Sequence, residues 1–185
     1  MVSEKKRLLQ RFRVPLGFVL AAVFLLLARP TAFTLAVGGG VALVGLLIRA
    51  WAAGHIRKYE QLAVTGPYAF TRNPLYLGSF VLAVGFTVAA GVWWLALVTA
   101  ALFIGIYLPV MRVEEQDLKR AFGADFDEFA KNVPLFLPRL TPWKKDGKMD
   151  AGFDFGLYLG HREYQAAIGL VLGLAALVVR MAVFG

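Results

Sequence analysis

Apolar residues run along this chain in blocks too long for a soluble core. Between Asn73 and Met111 there is no Asp, Glu, Lys or Arg. At about 1.5 Å per helical residue that stretch is nearly 60 Å long, roughly two bilayer cores. It must therefore fold back on itself. Ala89-Ala90-Gly91, followed by Trp93 and Trp94, supplies a turn beside interfacial aromatics. The same pattern predicts five spans, near Val14–Ala28, Phe33–Ala53, Leu75–Ala90, Val92–Met111 and Gln165–Phe184. The expected fold class is all-α, a polytopic membrane helical bundle of about five transmembrane helices in one domain covering residues 1–185. Gly38-Gly39-Gly40 falls inside the second span, where close helix packing explains it better than phosphate binding.

Charge then orients the bundle. The chain has 185 residues, 59% of them hydrophobic and only 17% charged, against about a quarter charged in ordinary soluble domains. The net charge of +8 reads as a cytoplasmic address rather than as a nucleic-acid surface, because of where the basic residues fall. Lys5, Lys6, Arg7, Arg11 and Arg13 precede the first span. Arg57, Lys58 and Arg72 lie in segment 54–73, and nine more lie in segment 112–164. This puts both termini on opposite sides, N-terminus in the cytoplasm. Residues 1–28 also have the basic-then-apolar layout of a signal peptide, but an uncleaved first helix balances the topology. Arg29 and Arg180 sit near span ends, where they can snorkel. Arg49 lies deeper, facing the bundle or the headgroups, since a lipid-facing charge is expensive.

The polar remainder, segments 54–73 and 112–164, is where chemistry is expected. Gly66-Pro67 reads as a turn. Asn73-Pro74 reads as an N-cap followed by proline in the first helical position, leaving free N–H groups beside Arg72 that suit an anion. An ordinary capped helix with interfacial tyrosines has the same pattern. Glu114-Glu115 fits either a paired-carboxylate site or a solvated helix face. Leu118, Phe122, Phe126, Phe129 and Val133 form an apolar stripe at helical spacing, expected to lie on the membrane or the bundle. Gly123 interrupts it, and Asp125-Phe126-Asp127-Glu128 looks like a capped restart. Val133-Pro134-Leu135-Phe136-Leu137-Pro138 must be extended, either covering a bound cofactor, lining a lipid entrance, or simply linking along the bilayer surface.

The absence of cysteine excludes disulfides, thiolate metal sites and cysteine nucleophiles. The two histidines, His55 and His161, have no metal-ligand spacing, so no metal is expected. There is no G-x-S-x-G elbow, Walker A loop or G-x-G-x-x-G.

Gly66-Pro67-Tyr68 and Arg72-Asn73-Pro74-Leu75-Tyr76-Leu77-Gly78, followed by Glu114-Glu115, Leu118, Phe122-Gly123, Phe126, Phe129 and Val133-Pro134, resemble the isoprenylcysteine carboxyl methyltransferase and phospholipid methyltransferase superfamily of membrane enzymes. The resemblance runs from about Ala53 to Arg139. It implies S-adenosyl-L-methionine as methyl donor, bound in a cytoplasmic cofactor-binding segment. By motif position, Glu60, Gln61, Leu62 and Ala63 should line the nucleoside side, Tyr68, Asn73, Pro74, Leu75 and Tyr76 should surround the donor, and Glu114 should complete the site. The family often has a histidine where this chain has Asn73, and a substrate-facing arginine where it has Val110; Arg112 is the near neighbour.

The expected function is methyl transfer to a lipophilic acceptor, isoprenylcysteine-carboxylate-like or an amino-lipid, at the cytoplasmic membrane face. Glu115 would position or deprotonate the acceptor, and Arg112 would orient an anionic one. The expected partners are the bilayer and that acceptor, with no nucleic acid. The alternatives are an NADPH-dependent reductase of sterol-like lipids and a non-enzymatic scaffold or transporter subunit.

Overall fold

The computed structural model describes residues 19, 22–57, 61–144 and 152–184. The first half of the first predicted span therefore lies outside the described residues, as do the N-terminal arm and Glu60; residues 22–27 are helical. The rest forms α1 (Ala32–Ala53), α2 (Pro74–Ala89), α3 (Trp94–Phe122), α4 (Ala124–Asn132), α5 (Phe155–Gly160) and α6 (Tyr164–Phe184), with a 3₁₀ turn at Gly66–Ala69. Helices α1, α3 and α6 are each long and apolar enough to cross a membrane, and α2 is a shorter apolar helix. The all-helical expectation holds, and no strand occurs among the described residues. Leu47, Leu97, Ile104, Val171 and Val183 are exposed on these helices, as a lipid-facing surface requires.

α1 starts at a capping box. Thr31 Oγ1 accepts from Thr34 N–H at 3.1 Å, and Thr34 Oγ1 accepts from Thr31 N–H at 2.9 Å. Its glycines set how near α2 comes. A Cβ built on Gly38 would lie 2.2 Å from Ala89 N, and one on Gly45 would lie 2.4 Å from Leu82 N. Across the interface, a Cβ on Gly85 would lie 2.3 Å from Ala42 N. The two backbones touch along their length, the small-residue packing that membrane helices use in place of a hydrophobic driving force. The glycine run divides accordingly. Gly38 is pressed into α2, whereas a Cβ on Gly40 would meet nothing within 4 Å.

α2 and α3 are joined at Gly91, whose φ of 71° and close approach to the Arg29 carbonyl both require glycine. At this end Arg29 N–H donates to Ala90 O at 2.8 Å. Arg180 donates to the carbonyls of Leu26 and Ala28, at 2.9 and 3.3 Å, and its guanidinium sits 4.4 Å from the Phe184 ring centroid. Arg180 thus satisfies helix-end carbonyls rather than simply escaping to solvent.

α3 departs from the predicted span ending at Met111. It continues through Pro109 to Phe122, 29 residues, or about 44 Å. Its last turns, with Glu114 and Glu115, therefore project beyond a core about 30 Å thick. Gly123, at φ 53°, is the N-cap of α4, and no side chain caps it. The restart expected from Asp125 to Glu128 is thus made by backbone; Asp125 and Asp127 stand in the first turn, where negative charge suits the dipole.

The apolar stripe packs at the end of the bundle, on the last turns of α3 and on segment 61–65. Phe126, Phe129 and Val133 bury against Leu62 and Val64, flanked by Leu118, Phe122 and Trp143. This small core holds segment 61–65 against α3 and α4. The proline-rich segment is non-helical as its prolines require, but it bends at Val133 and at 135–137 instead of running straight, and it docks on residues 69–73. Arg72 N–H donates to Pro134 O, Arg139 N–H to Phe70 O, and Trp143 N–H to Ala69 O, at 3.0, 2.9 and 2.9 Å. Thr71 Oγ1 donates to Phe136 O at 2.9 Å. Meanwhile the Phe136 ring packs on Phe80 and Phe103.

Candidate functional site

Three pieces of chain meet at the end of the bundle away from Gly91. The first turns of α2 descend from the Gly66–Ala69 turn. The projecting end of α3 stands beside them, with aromatic rings between: Tyr76 lies 5.5 Å from Tyr107, and Tyr107 stacks on Phe103 at 4.6 Å. Segment 61–65 closes the third side through its core with Phe129. Between them lies a cavity of about 520 Å³, in the range of small-molecule sites.

Nine of the ten residues expected around a donor line this cavity: Gln61, Leu62, Ala63, Tyr68, Asn73, Pro74, Leu75, Tyr76 and Glu114. The tenth, Glu60, lies outside the described residues. Asn73 and Glu114, 41 positions apart, face one space because α2 and α3 form a hairpin.

Tyr68 is the most informative member. Its hydroxyl is fully buried and has no hydrogen-bond partner among the described residues. Burial pushes its pKa well up, and the charges of Glu163 and then Glu114 push it further. The hydroxyl therefore stays protonated through the neutral range and serves as a donor awaiting an acceptor. Glu114 accepts from Tyr76 Oη at 2.9 Å, which fixes its carboxylate at the cavity wall.

Asn73 occupies the N-cap position and Pro74 the first helical position, but the Asn73 side chain makes no cap. Its Nδ2 donates instead to Leu135 O at 2.9 Å. This bond ties the amide to the proline-rich segment, and with backbone ψ at Asn73 at 58°, away from the extended N-cap value, the side-chain oxygen caps no helix N–H. Asn73→Ala is expected to lower stability by about 1–2 kcal/mol, since Leu135 O loses its partner. Proteolytic cleavage within residues 133–143 should accelerate with it.

Glu115 and Arg112 sit differently from the other predicted site residues. Glu115 is ion-paired with Arg72, and Arg112 is exposed; neither lines the cavity. Arg72 does line it, with its Nε buried and unpartnered among the described residues.

Sequence reasoning overlooked Arg49, Ser79, Tyr107 and Asp117 as cavity residues. Helical spacing held the signal for three of them. Ser79 lies one turn beyond Tyr76, Asp117 one turn beyond Glu114, and Tyr107 two turns before it. Arg49 had no local signal. Its Nη2 donates to Glu163 Oε1 and Oε2 at 2.8 and 2.7 Å, and its Nε to Oε2 at 3.0 Å. Its Nη1 reaches Ser79 Oγ and, at 3.5 Å, Leu75 O. This is the bundle-facing choice, and Gly78 permits it, because a Cβ there would lie 2.7 Å from Arg49 Cγ. Among the described residues no group of three His, Cys, Asp or Glu side chains could hold a metal ion.

Comparison with known proteins bears on the family of this chain. Over 100 residues, 53% of this chain and 46% of the relative, it is 38% identical to the nickel-cobalt-cadmium resistance protein NccN of Alcaligenes xylosoxydans xylosoxydans. Over 143 residues, 72% of this chain and 64% of the relative, it is 33% identical to the cobalt-zinc-cadmium resistance protein CzcN of Cupriavidus metallidurans. The chain thus spans less than two thirds of either relative's length. No solved structure matches it. The phospholipid methyltransferase family matches residues 16–125, which takes in α1, α2, α3 and every described cavity residue but Phe129, and the chain belongs to that family.

Proposed function

We propose that this protein transfers a methyl group from S-adenosyl-L-methionine to a lipophilic acceptor, with the donor held in the cavity between α2, α3 and segment 61–65 and the cavity open to the cytoplasm. The observation that carries this reading is the convergence of the nine described motif residues on one cavity that also holds the unpartnered Tyr68 hydroxyl.

The side chains present suit that donor. Leu62, Leu118 and Phe129 offer an apolar wall for a nucleobase. Glu114 and Asp117 offer acceptors for hydroxyl and ammonium groups, while Tyr68 and Arg72 offer donors for a carboxylate. When bound, the donor supplies a methyl group already activated on a cationic sulfur. The protein is then required chiefly to exclude water and to align acceptor and methyl within about 3–3.5 Å. No nucleophilic side chain is needed.

Of the acidic pair, Glu114 faces the cavity and we assign it to donor binding. Glu115 acts on the site through Arg72, and it reaches an acceptor proton only if that salt bridge opens. Arg112, exposed at the projecting end of α3, is the residue we assign to an anionic acceptor or headgroup.

The relatives' names concern metal resistance. Extended to this chain, that role would run through a methylated membrane component rather than through a metal site in the protein.

Incubating purified protein with methyl-labelled donor and extracted lipids tests the reading, because the labelled product identifies the acceptor. Binding of NADPH without S-adenosyl-L-methionine would favour the reductase, and binding of neither would favour a scaffold. Tyr68→Phe is a sharper probe. With no partner to lose among the described residues, the ligand-free protein should melt at an unchanged or slightly higher temperature. Donor affinity should fall about 10- to 100-fold, the size of one hydrogen bond to a charged group. Equal affinity in both proteins would remove Tyr68 from the site.

A further inference from the structure

The family match ends at residue 125, yet a residue far beyond it reaches the cavity wall. Glu163 lies in the turn between α5 and α6, and its side chain is only 12% exposed. It grips Arg49 side-on through three hydrogen bonds of 2.7 to 3.0 Å. The residue before it, Arg162, is held at φ 57°, a left-handed conformation unfavourable for a side chain of this size. Such strain persists where surrounding contacts over-determine it. Here it aims the Glu163 carboxylate at α1.

Arg49 is a cavity-lining group. Unpaired, it would place a full positive charge in a wall that the reading above assigns to a cationic ligand. Arg72, another cavity arginine, is likewise matched by a carboxylate outside the lining, Glu115. Glu114, which does line the cavity, takes a neutral tyrosine hydroxyl instead.

We propose that Glu163 is a positioning residue of this site: by pinning and neutralising Arg49 it favours a cationic ligand over an uncharged analogue, making the C-terminal span part of the binding machinery. This inference rests on the donor reading proposed above. It concerns selectivity for charge at sulfur, which mere anchoring of α6 would leave unchanged.

The test is calorimetric titration of the full-length detergent-solubilised protein with S-adenosylmethionine, a cationic sulfonium, and S-adenosylhomocysteine, its uncharged thioether. Glu163→Gln should lower the ratio of sulfonium to thioether affinity about tenfold, as expected for one full charge roughly 10 Å away at an effective dielectric constant near 20. Arg49→Gln, which leaves the carboxylate unbalanced, should raise the ratio. The double variant should return it to the wild-type value. Equal losses for both ligands, or an unchanged ratio in both single variants, would overturn the proposal and leave Glu163 an anchor. Should Glu163→Gln fail to fold, Arg49→Gln decides: a raised ratio supports the proposal and an unchanged one overturns it. Failure of the wild-type protein to bind either compound would instead overturn the donor reading itself, and this proposal with it.

Discussion

Gly45→Ala is expected to destabilise the protein by about 3 kcal/mol or more, at the upper end of what overpacking a core costs. One added methyl would lie 2.4 Å from Leu82 N, 2.6 Å from Gly78 O and 2.8 Å from Leu82 Cα. All three are backbone atoms of α2, so no rotamer change can relieve the contact. The helices must separate, and the small-residue seam through Gly38, Ala42 and Gly85 would open with them. The first turns of α2 carry Asn73 to Tyr76, so the cavity would lose its shape along with the seam. Gly40→Ala is the matched control. It adds the same methyl to the same helix with nothing within 4 Å, and alanine's better helix propensity should stabilise by up to about 1 kcal/mol. Melting temperatures in detergent should therefore move in opposite directions. Equal behaviour of the two variants would contradict the interface.

The second large effect concerns chemistry. Glu114→Gln should reduce methyl transfer about 10- to 100-fold, because a hydrogen bond to a charged group is worth about 1.5–3 kcal/mol. Thermal stability should hardly change. The amide oxygen of glutamine can still accept from Tyr76 Oη, so the wall keeps its hydrogen bond at 2.9 Å and loses only the charge. Separating the two readouts is the point. A lowered rate with an unchanged melting temperature assigns Glu114 to ligand binding; parallel falls would assign it to the fold. Full activity would remove the carboxylate from the site, and with it the strongest link between α3 and the donor.

Hydropathy and charge were enough for the helical membrane class, because a bilayer demands long uncharged runs whatever packs beside them. The start of α2 at Asn73-Pro74 was also legible, since proline suits the first helical position through its own covalent geometry. The cavity residues in motif 66–76 and at Glu114 were found by resemblance to a family, and helical spacing would have extended them to Ser79, Tyr107 and Asp117.

Other features depend on partners distant in sequence. Asn73 looked like a capping side chain, but its Nδ2 donates to Leu135 O, 62 residues away, and its oxygen caps no helix N–H. The apolar stripe from Leu118 to Val133 suited the membrane or the bundle equally, because its periodicity records an apolar face and says nothing of what covers it; Leu62 and Val64 do. Arg49 carried no motif at all, and its partner Glu163 lies 114 positions on. Periodicity and local propensity act over a few residues and so survive in the linear order of the chain. Charge neutralisation and close backbone approach are settled by whichever groups folding brings within a few ångströms, and these exist only once the helices have packed.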